Sequence, residues 1–145
     1  MRQTSVPSPI APHEVFDLEH IADPTGALYV GELAQRGRGP FDRFYFITGV
    51  PRGERRGGHA HIAQAEYLIC IQGSLDVHVE AGGDVEIVPL DRPGRSLYLP
   101  AGYWRELVDF APGTVLAVLA VHPFSEADYI RDRDAFRRWE SNAAG

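Results

Sequence analysis

The segment RGGHAHIAQAEYLICIQGSLDVHVE, Arg56 to Glu80, carries the reading of the fold. In its last third Leu75, Val77 and Val79 alternate with Asp76, His78 and Glu80, the pattern of a strand wet on one side, so His78 is expected to face solvent. YLICI before it reads as a second strand. The two histidines stand two residues apart, and in a strand such residues point to one face about 6.6 Å apart. His59 and His61 therefore look into the same space. Glu66 adds a carboxylate five residues on, and Gly73 is read as a hairpin turn that brings the glutamate's strand beside the histidines'. Two imidazoles and a carboxylate suit a divalent metal. They equally suit an acid/base pair, or plain packing of a strand wall.

Working outward, Pro and Gly punctuate the chain and isolate short runs rich in Val, Ile, Leu, Tyr and Phe: 27–33, 43–50, 67–72, 75–80, 85–90, 96–99, 105–110 and 114–122. Strands at this spacing predict an antiparallel sandwich or barrel. Only the tail reads as helix. Ser125 is placed as its cap with Asp128 three residues on, and Tyr129, Phe136 and Trp139 form one packing stripe. One domain is expected over 13–145, after a flexible 1–12 rich in Pro and Ser.

The formal charge of −6 and pI near 5.4 argue against a general nucleic-acid or membrane-surface binder. Every one of the 14 basic residues is arginine, a side chain whose planar fork suits phosphate oxygens. The single cysteine, Cys70, lies in an apolar run and is read as an inert buried thiol of a reducing, cytoplasmic compartment. Neither a signal peptide nor a membrane span is visible.

The spacing His-x-His, Glu66, Gly73 resembles the first motif of the cupin barrels. Their second motif, Gly-x5-Pro-x-Gly-x2-His, reads here Gly94, Pro100, Gly102 and then Arg105 in place of the last histidine. Arginine donates only and carries positive charge, so it cannot serve as the fourth ligand.

Six further blocks resemble one cupin family, the sugar 3,4-ketoisomerases also called WxcM-like or FdtA-like domains. They are Asp23-Pro-Thr-Gly26-Ala-Leu28, Arg43-FYFI, Arg56-GGHAH, Leu97-YLPAGY-Trp104-Arg105-Glu106, Asp109-Phe110 and Asp128-YIRDRDAF. The resemblance implies a single cupin, RmlC-like jelly-roll β-barrel with a short C-terminal helix, acting on dTDP-4-keto-6-deoxy-D-glucose without metal or other cofactor. It implies a homodimer with exchanged N-terminal strands, a deoxyamino-sugar pathway, His59 and His61 as acid/base groups, and Arg56 on the diphosphate. A neutral histidine is suited to take the C3 hydrogen made acidic by the C4 ketone. Arg105 is placed to stabilise the enediolate and to influence the face of C4 reprotonation, with the gluco product expected.

Tyr45 and Trp104 are expected to pack on thymine or sugar. Tyr98 and Trp104 are read either as substrate contacts or as core. Glu66 is assigned the partner role that holds the tautomer of His61. Arg52 and Arg55 are read as solvated loop charges. Three positions depart from the family pattern: Glu66 where glutamine is usual, Thr25 for arginine and Phe46 for tyrosine. Two other readings follow from them. One is a metal-dependent cupin such as a dioxygenase using His59, His61 and Glu66, and the other is a sugar-nucleotide-binding barrel without catalysis.

Overall fold

The computed structural model describes residues 11–33 and 39–144. The expected flexible tail falls on residues outside these, apart from Ala11 and Pro12. One five-stranded antiparallel sheet runs β1 (Glu14–Asp17), β9 (Arg95–Leu99), β6 (Glu66–Gln72), β11 (Val115–Ala120), β4 (Arg43–Thr48). The second runs β12 (Tyr129–Ile130), β5 (Arg56–His61), β10 (Trp104–Val108), β7 (Leu75–Ala81), β8 (Asp84–Leu90). A separate ribbon pairs β2 (Glu19–Asp23) with β3 (Gly26–Val30), and α1 (Arg133–Ala144) closes the chain. This is the expected all-β jelly roll, and each of the eight apolar runs holds a strand. The strands at Glu14–Asp17 and Glu19–Asp23 escaped the sequence reading because their charges interrupt any apolar run.

The two sheets face each other over a core that includes Leu68, Leu75, Val77, Leu97, Leu116 and Val118. Alternation along β7 holds in direction, with Leu75, Val77 and Val79 buried inward, but the other face is not uniformly wet: His78 is half-buried and Glu80 is buried. Cys70 is fully buried in this core, where burial raises its thiol pKa. Among the described residues no helix is long and apolar enough to cross a membrane.

Two expectations are corrected. Gly73 does not make a hairpin that sets β6 beside β5; β6 and β7 belong to different sheets, so the turn is a corner between them. Its φ of 82° and the approach of Thr114, 2.7 Å from where a Cβ would stand, restrict the position to glycine. Glu66 and the histidines consequently meet across the gap between sheets. The helix also begins later than Ser125. The segment Glu126–Asp128 is a single 3-10 turn without a side-chain cap, Tyr129 enters β12, and α1 starts at Arg133. Of the expected stripe, Phe136 and Trp139 do pack together, with Ala60 and Trp104 on the outer face of the second sheet.

Candidate active site

Strand register explains which side chains meet. Arg105 on β10 lies directly across from His59 on β5, so both project inward, while their paired neighbours Trp104 and Ala60 project outward onto α1. In the facing sheet β11 carries Ala120 between Glu66 and Arg43, and Val118 between Leu68 and Tyr45. Tyr129 pairs with His61 along the edge. The residues His59, Arg105, Glu66, Tyr45, Arg43 and Tyr129 thus converge on one cavity of about 510 Å³, which Arg56 and Arg131 also line.

Four arginines and one carboxylate, Glu66, stand on this wall. A protein of formal charge −6 has gathered cations in its cavity, which suits an anionic ligand. Glu66 and Arg105 are each 2 % exposed and joined by Arg105 Nη1 donating to Glu66 Oε1 at 2.7 Å. The Tyr45 hydroxyl donates to Glu66 Oε2 at 3.3 Å. Arg105 Nε and Nη2 and Arg43 Nη1 are buried donors without a protein partner. Buried donors left open in a cavity wall are costly unless a ligand takes them. Arg131 is forked onto Glu126 at 2.7 and 2.9 Å and lies over the Tyr129 ring.

The histidine rings meet edge to face, centroids 4.9 Å apart, and Tyr129 packs on both. His59 lines the cavity; His61 is 1 % exposed behind it. Burial, then the positive Arg105, then His61, push the pKa of His59 down to about 3, and burial with Arg105 lowers His61 as well. Both are neutral imidazoles at neutral pH. Asp128 Oδ2 takes His61 Nδ1 at 2.9 Å and also anchors the backbone N–H of Ala63 and Gln64. A carboxylate only accepts, so Nδ1 of His61 carries the proton.

Asp128 therefore fills the tautomer-holding role assigned to Glu66, whose Oε2 stands 3.7 Å from His61 Nε2 and whose ion pair is with Arg105. Trp104 does not reach the cavity. Its ring packs on Phe136 and its Nε1–H donates to Glu106. Tyr98 packs on Tyr67 on the outer side of the first sheet, away from the cavity. Phe46 is 59 % exposed beside the inward Tyr45, and Thr25 is bonded to Asp23 at the tip of the β2–β3 ribbon. Arg55 is paired with Glu106 rather than merely solvated. Sequence reasoning gives Asp128, Tyr129, Arg43 and Arg131 no place in the site, although the DYIR block, Asp128 to Arg131, contains three of them.

A cupin barrel raises the question of a metal. Among the described residues no three His, Cys, Asp or Glu side chains are placed to hold one ion. Glu66 Oε1 is taken by a guanidinium, and that guanidinium stands where a further ligand would be needed. The donor set does not fit a metal, and no step is derived through one.

Fold and site together define a cupin-type jelly roll whose cavity offers arginines and a neutral histidine to an anionic ligand. The chain belongs to the FdtA family (WxcM-like, C-terminal), whose model matches residues 12–141. It is 32% identical over 127 residues to the TDP-4-oxo-6-deoxy-alpha-D-glucose-3,4-oxoisomerase of Aneurinibacillus thermoaerophilus, covering 88% of this chain and 91% of that protein. Among solved structures it superposes on the sugar 3,4-ketoisomerase QdtA of Thermoanaerobacterium thermosaccharolyticum, in complex with TDP, with a TM-score of 0.85 at 32% identity, covering 90% and 96% of the two chains. The WlaRB TDP-quinovose 3,4-ketoisomerase of Campylobacter jejuni gives 0.82 at 33% identity, covering 89% and 99%.

Proposed function

We propose that this chain, a single cupin domain over 13–145, is a 3,4-ketoisomerase of dTDP-4-keto-6-deoxy-D-glucose. The observation that carries the reading is the pairing of a neutral His59 with the open donors of Arg105 on one cavity wall. The C4 ketone acidifies the C3 hydrogen, which His59 removes as general base. Charge then develops on O4, where Arg105 Nε and Nη2 receive it. Return of a proton to C4, with the C3 hydroxyl proton passing to O4, leaves the ketone at C3 and nothing gained or lost. Arg56, assisted by Arg43 and Arg131, holds the diphosphate. His61 acts behind His59, fixed by Asp128, instead of touching the substrate.

Mixing the protein with dTDP-4-keto-6-deoxy-D-glucose and following the sugar by NMR tests this. Wild type forms the 3-keto isomer, and His59→Asn lowers turnover by about 10³-fold with dTDP affinity by calorimetry intact; a fully active His59→Asn ends the assignment. The coupling constants of the product report whether it is gluco, as expected, and Arg105→His reports whether Arg105 directs that face.

The working form is a cytoplasmic homodimer with exchanged N-terminal strands. Its support is apolar surface that one copy leaves open: Phe44 and Phe46 on edge strand β4, and Ile21 and Leu28 on a β2–β3 ribbon that would be marginal alone. Sedimentation at a single-chain mass would rule it out.

A further inference from the structure

Glu66 is the feature the mechanism above leaves unused, and its two bonds fix the polarity of both neighbours. A carboxylate paired with a guanidinium has no proton to give, so in the Tyr45–Glu66 bond the phenol is the donor. Tyr45 has one hydroxyl proton, and it is committed. Burial and then the charge of Glu66 raise the Tyr45 pKa, which keeps that proton on the oxygen. What Tyr45 shows the cavity is lone pairs alone. Arg105 shows the opposite: Nε and Nη2 are donors without partners, and the third direction is spent on Glu66.

An α-hydroxyketone is the complement of this arrangement, because its ketone oxygen only accepts and its hydroxyl has a proton to donate. We propose that Glu66 is a positioning residue that makes the cavity read an α-hydroxyketone in one direction, ketone oxygen on Arg105 and adjacent hydroxyl on Tyr45. This rests on the ketoisomerase reading and deepens it. It also gives a meaning to a glutamate at the position where the family pattern that this chain resembles usually has glutamine. Glutamine keeps an oxygen for Arg105 but turns an NH2 towards Tyr45, which then accepts from it and aims its own proton into the cavity.

The test uses nucleotide sugars that the His59→Asn variant binds without turning over. Affinity is measured for dTDP-4-keto-6-deoxyglucose and for its 3-deoxy-3-fluoro counterpart, which has no proton to donate at C3. With Glu66 present the fluoro sugar is expected to bind roughly tenfold more weakly, the worth of one buried hydrogen bond turned into an unpaired contact. Adding Glu66→Gln, or separately Tyr45→Phe, is expected to shrink that ratio, while the affinity for dTDP stays constant and shows the fold is intact. A ratio near one with Glu66 present, or a ratio unmoved by Glu66→Gln, overturns the polarity assignment and leaves the ketoisomerase reading standing. Failure of dTDP-4-keto-6-deoxyglucose itself to bind overturns the ketoisomerase reading and this proposal with it.

Discussion

Two arginine–glutamate clusters lie on opposite sides of the second sheet, the inner one completed by Glu66 from across the gap, and they are finished differently. Inside, Glu66 holds Arg105, and both side chains are almost wholly out of solvent. Outside, Glu80 is equally buried but its partners Arg133 and Arg137 on α1 are 41% and 55% exposed. The outer carboxylate is saturated by three N–H groups, and Glu140 further pins the helix to Gly82. The inner cluster leaves the donors Arg105 Nε and Nη2, and the acceptor His61 Nε2, buried and unpartnered. Saturation marks a fastening for the helix. Open donors mark a place kept for a ligand, at a cost to the empty fold.

The widest separation between the clusters comes from Arg105→Met. Turnover should fall by about 10²-fold or more as the enediolate loses its donors. Stability should fall by about 3–5 kcal/mol, because Glu66 is left as an uncompensated buried charge. Coupling that change with Glu66→Leu should recover most of the stability in urea titrations and none of the activity. A double variant as unstable as the single one would mean that the pair is a fastening like the outer cluster.

Acid provides a second contrast. His59 is lowered in the fold to about 3 from an ordinary 6.5, and His61 is lowered too. Between those values the unfolded chain binds more protons than the folded one, so stability rises with pH there and is lost as pH falls from 6.5 towards 3. The slope is at most about 1.4 kcal/mol per pH unit for each histidine. Melting curves from pH 7 to 4 should fall less steeply for His59→Asn and His61→Asn than for wild type. The acid limb of kcat/KM, which reports the free enzyme, should lie well below pH 6.5. A limb at 6.5 would place His59 in water and not on this wall.

How much of this was legible beforehand follows from local geometry. The period of two sent His59 and His61 to one face, and the Pro-x-Gly spacing singled out Arg105. The same period decides between the two readings left open for Trp104 and Tyr98: if Arg105 points inward Trp104 must point outward, and Tyr98 must oppose its buried neighbours Leu97 and Leu99. Asp128 was beyond such reasoning. Ser125 and Asp128 before an apolar stripe have the form of a capping box, and nothing local tells that the carboxylate instead meets a histidine 67 residues earlier. Gly73 was read rightly as a turn, but whether a turn joins neighbours in one sheet or corners of two is a property of the packed layers.

The smallest effect belongs to the outer cluster. Burial alone would raise the Glu80 pKa, yet the hydrogen bonds from Arg133 and Arg137 outweigh it and leave it lowered. Its contribution is therefore present at neutral pH and lost as pH falls through the carboxylate range. Because both arginines return to water when the pair is broken, Glu80→Gln should cost about 1 kcal/mol or less, read as a small drop in the urea midpoint. Turnover should not change, since Glu80 pairs with the outward-facing Trp104 on the side of the sheet away from His59 and does not line its cavity. A Glu80→Gln variant that keeps its stability but loses isomerase activity would show that the two faces are coupled through β10, and the distinction between fastening and site would fail there.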